Sequence, residues 1–363
     1  MGKPAKVFLG SLLFFGIAAS SLGVYVYREF VQNPASGDDT PVIYEVRTGQ
    51  SFQTIAQDLQ ARGIVKNAKF FNIYARLNGE RSRVKVGEYE FKTSMRPSAV
   101  LSVLTSGKSI FRKFTVVEGL SIYEVAELYE KQGFGSAENF LKTVRDPQLI
   151  LALLGPPNSE ERIDSLEGYL FPETYQITKY TTTRELVTSM TQLFLKEYEI
   201  IRQKFGTELT TWSRHRIVTL ASLIEKETGA SFEREKISSV FHNRLKRGMK
   251  LQTDPTIIYG KAQDSGKIEL NITRKDLLDP TAYNTYVISG MPPGPIANPG
   301  RASLQAVFQP EKSTFLYFVS KNDGTQVFSE SYEQHNRAVQ KYQVDPKGRE
   351  NKSWRNLNHH SDR

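Results

Sequence analysis

Cysteine is absent from all 363 residues. That excludes disulfides, thiolate metal sites, a cysteine nucleophile and a lipid-modified N-terminal cysteine. Histidine is scarce, with five in the chain, and none has zinc-ligand spacing. The adjacent His359 and His360 supply fewer ligands than a metal site needs. There is no P-loop, no G-x-S-x-G elbow and no H-E-x-x-H pair, so nothing supports the nucleotide, serine-hydrolase or metalloprotease chemistry those motifs carry. No cofactor is expected. Clusters of one charge sign are missing too. The formal net charge is +9, but the lysines and arginines are scattered and do not single out a nucleic acid. The balance suits an anionic surface or polymer equally well. No internal repeat is evident.

What is present describes an ordinary globular chain, 39% hydrophobic and 24% charged, long enough for two or three modest domains. The N-terminus carries "KVFLGSLLFFGIAASSLGVYVYREF", in which Val7 to Tyr27 form about 20 mostly apolar residues. Lys3 and Lys6 precede this run and Arg28 follows it. The length, and the aromatic Tyr25 and Tyr27 at its end, favour a single-pass anchor over a cleaved signal peptide with its cleavage near Ala18 and Ala19. The expectation is an inner (cytoplasmic) membrane protein with residues 1–6 in the cytoplasm, 7–27 in the membrane and the remainder exported. Residues 28–41 read as a linker rich in turn formers, and the polar tail 343–363 as disordered.

From Val42 the pattern predicts an α+β unit over 42–117. It has an alternating strand from Val42, a helix capped by Ser51 with Ile55, Ala56 and Leu59 on its apolar face, a second helix in "NAKFFNIYARLNG", a strand in "VKVGEYEFK", a helix opened by Pro97 and a further strand. Residues 118–342 read as mostly helical with short strands. "SLEGYLFPETYQI" is a loop running into a strand, "TTRELVTSMTQLFLKEYEIIRQKFG" a long amphipathic helix, and "STFLYFVS" and "TQVFS" a strand pair around "KNDG".

"LASLIEKETGA" stands out because it places Glu225 and Glu227 at the C-terminal end of a helix, where the dipole disfavours carboxylates. On a helical wheel Glu225 borders the apolar stripe of Ile217, Leu220 and Ile224, above the small Ala221 and Ser222. Glu227 lies about 160° away. The two are therefore no facing pair of the kind ordinary glycosidases use. The helix dipole and partial burial both disfavour an ionised Glu225, as suits a general acid. A solvated helix end is the plain alternative. Asp254 before Pro255 reads most simply as a helix N-cap. "ISGMPPGPIANPG" is stiff enough to wall a cleft. In "LEGYLFPETY", Tyr169, Phe171 and Tyr175 suit either sugar stacking or the core.

Taken together, "LASLIEKETG", "SVFHNRLKRGMKLQTDPTIIYG", "LEGYLFPETY" and "YNTYVISGMPPGPIANPGRASLQAVFQP" resemble the endolytic murein transglycosylase family, also called YceG-like proteins. The likeness runs from Val7 to about Tyr342. It implies a membrane-anchored lyase that cuts nascent peptidoglycan strands between N-acetylmuramic acid and N-acetylglucosamine, leaving 1,6-anhydro ends. It also implies a LysM-like glycan-binding subdomain over 42–117 and Glu225 as the catalytic acid. Gln252, Asp254, Asn298, Glu167 and Tyr169 are candidates for substrate binding. Expected partners are the glycan strands, the membrane and a peptidoglycan synthase. Two other readings stand beside it. One is a muramidase using Asp254 or Glu167 as a second carboxylate, and the other a non-catalytic peptidoglycan-binding scaffold.

Overall fold

The computed structural model describes residues 3–158, 161–206 and 211–345, with side chains in the first helix described at 14 and from 16 onward. Of the tail expected to be disordered, 343–363, residues 346–363 with His359 and His360 lie outside the described residues, whereas Gln343 and Val344 complete a turn of π-helix, Gln340–Val344. The chain divides into two compact units. The first runs to Lys113 and takes in Gln176–Thr181, and the second comprises Phe114–Tyr175 and the chain from Thr182.

The chain opens with α1, Lys3–Tyr27. Among the described residues no helix is long and apolar enough to cross a membrane. The expected transmembrane anchor over 7–27, and the inner-membrane location built on it, are corrected accordingly.

Strand β1, Pro41–Val46, pairs antiparallel with β2, Gly87–Lys92, in a register that sets Tyr44 opposite Tyr89 and Val42 opposite Phe91. Between them lie α2, Phe52–Ala61, and α3, Ala68–Leu77; α4, Pro97–Ser106, follows β2. Local chemistry explains the boundaries. The Ser51 hydroxyl accepts the Thr54 amide, as an N-cap should, and Asn67 caps α3 through the amides of Lys69 and Phe70. The pleat sends Tyr44, Val46, Tyr89 and Phe91 to one side, where they pack with Ile55, Leu59, Phe71, Val100 and Leu104. Fully burying each such aliphatic or phenyl side chain contributes about 1.5–3 kcal/mol. The α+β character expected here is what the structure shows.

Strand β3, Arg112–Thr115, pairs with β4, Thr174–Ile177. The second unit adds α5, Ile122–Lys131; α6, Ala137–Val144; α7, Pro147–Leu154; α8, Thr183–Phe205; α9, Arg214–Glu227; α10, Arg234–Lys246; α11, Asp254–Ser265; α12, Arg301–Phe308; and α13, Tyr332–Val339. Sequence periodicity passed over α7, which is nearly all apolar and so shows no face. Strands β5, Tyr317–Ser320, and β6, Gln326–Ser329, form the expected hairpin.

Helix α9 is the axis of this unit. From Ile217 to Ile224 every residue is buried, Thr219 and Ser222 included, so the helix is enclosed on every side, as a central helix is. It packs against α10, α11 and α12. The helix emerges at both ends, with Arg216 exposed in the first turn, and its last turn carries both glutamates.

Candidate active site

Helix α9 ends with Glu225, Lys226 and Glu227 pointing in three directions. The Glu225 side chain is 8% exposed. Its Oε2 accepts the Gly300 amide at 3.0 Å, and its Oε1 lies 3.6 Å from the Arg234 guanidinium. Lys226 is exposed, with its ammonium on the Gly119 carbonyl at 3.1 Å. Glu227 is partly buried and accepts the Thr253 hydroxyl. Burial pushes its carboxyl up to about 7; the Thr253 bond and Arg244 act against this, while Asp254 adds to it. The plain reading of a solvated surface glutamate therefore fails for Glu227. Its partner is a hydroxyl, on a loop the wheel could not see.

A clasp of two distant segments brings Gly300 to Glu225. The Gly119 amide donates to the Asn298 carbonyl, and the Asn298 amide donates to the Leu120 carbonyl, both at 2.9 Å. The Asn298 carboxamide extends the clasp: Nδ2 donates to Leu120 O and to Glu167 Oε1, while Oδ1 accepts the Leu170 amide. Glu167 is 2% exposed and takes the Ile122 amide on Oε2 at 2.9 Å. Burial pushes it up to about 8, although bonds from Ile122, Tyr259 and Gly168 favour its charged form. Neighbouring supports fix the same loop. The Ile296 amide donates to the Ser222 hydroxyl on α9. His215 Nε2 meets the Pro293 carbonyl at 3.0 Å, which requires the proton on Nε2, so Nδ1 accepts the Tyr169 hydroxyl at 2.9 Å. Tyr169 itself is fully buried, edge-on to Phe194.

The clasp also delivers a residue that sequence reasoning missed. Glu118 lies beside Gly300 so closely that a Cβ on that glycine would overlap its carboxylate. With the Gly300 amide on Glu225, this puts the two carboxyls within about 7 Å of each other. Glu118 is exposed as a residue, but its carboxyl tucks against the protein. That partial desolvation, and then the Glu225 charge, hold it above the usual carboxylate range, with Arg234 opposing them. Arg234 was likewise unforeseen. Its Nε is buried without a hydrogen-bond partner. An acid–glycine pair just before a capping box (Ser121 with Glu124) was the one sequence signal for Glu118. Nothing in the sequence marked Arg234.

The remaining candidates fall into two groups. Gln252 and Asp254 are exposed on the turn that Glu227 holds through Thr253. Gln252 adopts φ +52, a left-handed conformation uncommon outside glycine. Asp254 is not the N-cap of α11: Thr253 takes that position, and Asp254 Oδ1 instead accepts the Tyr286 hydroxyl at 2.7 Å. Glu167, Tyr169 and Asn298 are buried in the scaffold beneath the clasp.

A helix-borne carboxyl with a second carboxyl and a guanidinium beside it has the makeup that acid–base chemistry on a glycosidic bond requires. Comparison with known proteins places the chain more narrowly. Residues 44–341 match the model of the YceG-like family. A Bacillus subtilis protein named endolytic murein transglycosylase is 32% identical over 332 residues, covering 88% of this chain and 90% of the relative. A Streptococcus pneumoniae protein of the same name is 30% identical over 363 residues, with 92% of this chain matching 65% of that longer protein. The crystal structure of a YceG-like protein from Listeria monocytogenes, 30% identical, covers 83% of this chain and 99% of its own, with a TM-score of 0.54. The chain belongs to the YceG-like family.

Proposed function

We propose that this protein is a peptidoglycan lytic transglycosylase in which Glu225 serves first as general acid and then as general base. The observation that carries the reading is the placement of Glu225: a carboxyl nearly closed off from water, gripped on one oxygen by the Gly300 amide and faced on the other by Arg234. The bond cut is the one between N-acetylmuramic acid and N-acetylglucosamine inside a nascent glycan strand. Glu225 gives its proton to the glycosidic oxygen as the C1–O bond breaks and its electron pair leaves with that oxygen. The muramyl C6 hydroxyl then attacks C1, closing the 1,6-anhydro ring, and its proton returns to Glu225. No water is consumed, and the tethered hydroxyl has a high effective concentration. Cutting a growing strand in this way ends its elongation.

Gln252 and Asp254, exposed on a turn tied to the same helix end, are the substrate-positioning residues in this reading. Glu167, Tyr169 and Asn298 act one step behind them, holding the loop that carries Gly300. The first unit supports a glycan-binding role of LysM-like type through its strand–helix–helix–strand order and antiparallel β1–β2 pair. A peptidoglycan synthase is the partner such a terminating enzyme would work beside; recovery of no synthase in a pull-down from cells would count against that pairing.

The test is product mass. Wild-type protein should release fragments with anhydro ends, and Glu225→Gln should release none while unfolding at the wild-type temperature. Fragments heavier by one water would establish a hydrolase instead, with Glu118 as its second carboxylate. Peptidoglycan binding with no cleavage by wild type would leave the scaffold reading.

A further inference from the structure

We propose that Glu227 is a positioning residue for the substrate: through Thr253 it fixes the 251–254 turn to the end of α9, so that Gln252 is presented, in a strained backbone conformation, to the glycan strand that lies on Glu225. This rests on the role proposed for Glu225 and gives the second glutamate of the same helix end a separate task.

The turn has two sides. Leu251 and Thr253 are 1% and 2% exposed, whereas Gln252 and Asp254 are open to solvent. The buried side is bonded throughout. Arg244 Nη1 donates to the Leu251 carbonyl at 2.7 Å, and the Gln252 amide donates to the Thr285 carbonyl at 3.2 Å. The Thr253 amide donates to the Thr285 hydroxyl at 3.0 Å, and the Thr256 hydroxyl to the Thr253 carbonyl at 2.7 Å. The Thr253 hydroxyl donates to Glu227, and of these bonds it is the one that runs to α9. Together they hold Gln252 at φ +52, a left-handed conformation that persists in a residue with a side chain only where its surroundings over-determine it. The exposed side differs. The Asp254 carboxylate is taken by Tyr286, but the Gln252 carboxamide has no hydrogen-bond partner among the described residues. Packing gains nothing from that side chain, so a pinned and strained backbone that displays it is placement for a ligand. A carboxamide both donates and accepts, as the hydroxyl and acetamido groups of N-acetylated sugars require. Glu225 and Glu227 leave one helix end in different directions, so a strand that meets the acid on one side of α9 reaches the turn on the other.

The experiment is steady-state release of anhydro products from soluble, uncross-linked glycan strands by the full chain, with kcat and KM separated. Thr253→Val deletes the hydroxyl and keeps the shape. It should raise KM about five- to tenfold and lower kcat by less than about twofold. Thr253→Ser keeps the hydroxyl, and Glu227→Gln keeps an acceptor for it, so both should stay near wild type. Gln252→Ala should raise KM by the same factor as Thr253→Val. The double variant should raise it no further, because the hydroxyl acts on substrate only through the carboxamide. A merely structural role for the Glu227–Thr253 bond would instead give effects that add. Gln252→Gly should raise KM as alanine does yet unfold no earlier than wild type, since glycine takes positive φ freely. If Thr253→Val does not fold, Glu227→Ala replaces it in the same cycle. KM unmoved in Gln252→Ala, full additivity in the double variant, or a fall in kcat with KM unchanged in Thr253→Val overturns the proposal. Activity surviving in Glu225→Gln would instead overturn the reading beneath it.

Discussion

Gly168→Ala is expected to be costly for reasons the structure separates. Gly168 has φ +81, and a Cβ there would lie 2.6 Å from Pro295 Cβ and Cγ and 2.7 Å from Val218 Cγ1. The left-handed backbone costs a non-glycine residue about 1–2 kcal/mol. The overlap is with a proline ring and a β-branched side chain, neither of which can turn aside, and overpacking of this kind costs about 1–3 kcal/mol. The sum, about 2–5 kcal/mol, corresponds to a drop in Tm of roughly 5–15 °C for a unit of this size. Gly248 provides the internal control. It has φ +66, and a methyl there would meet nothing within 4 Å, so Gly248→Ala carries the backbone cost alone, about 1–2 kcal/mol. Thermal unfolding of both variants by circular dichroism measures the difference. If Gly168→Ala unfolds no earlier than Gly248→Ala, the tight packing of the 166–171 loop between α9 and Pro295 is refuted.

Three further outcomes are expected. Asn298→Ala strips partners from the buried Leu170 amide and Glu167 carboxyl and should lower stability by about 2–4 kcal/mol in urea unfolding; a loss under about 1 kcal/mol would contradict the clasp. Glu167 and Glu227 are held near 8 and 7 against a reference of 4.5, so the folded chain retains protons that the unfolded chain releases. Stability should therefore fall as pH rises from about 4.5 through 8, and Glu227→Gln should flatten that decline below about pH 7; an unchanged slope in the variant would deny Glu227 its buried site. Tyr286→Phe removes the donor to exposed Asp254. It should shift stability by less than about 1 kcal/mol while raising KM more than it lowers kcat, and a fall in kcat alone would remove Asp254 from substrate positioning.

Local features of the fold were legible because local chemistry sets them. Ser51, Thr54 and the Ile55–Leu59 face specify α2 within one stretch of chain, and "KNDG" between two β-rich runs specifies the β5–β6 hairpin. The wheel placed Glu225 at the margin of the apolar stripe and turned Glu227 away from it, and both statements hold. What the wheel could not supply is whatever meets the helix from outside. Glu118, Arg234 and Gly300 reach Glu225 from three separate segments, and Thr253 reaches Glu227 from a fourth. Helical periodicity carries no information about such contacts. The N-terminal run is where hydropathy misled, since among the described residues no helix is long and apolar enough to cross a membrane. Asp254 misled because Asp-Pro is a familiar helix opening, and here the cap lies one residue earlier.

The Asn298 carboxamide reaches back to Leu120 across 178 positions. Closing a loop of that length carries a large entropic cost that only the finished packing offsets, so the contact belongs to the late part of folding. On a chain synthesised from its N-terminus, Glu225 emerges long before the amide that grips it. The acid exists as a residue well before it exists as a site. A chain halted anywhere short of Gly300 would carry the glutamate without its clamp, which ties the formation of that clamp to synthesis of most of the second unit.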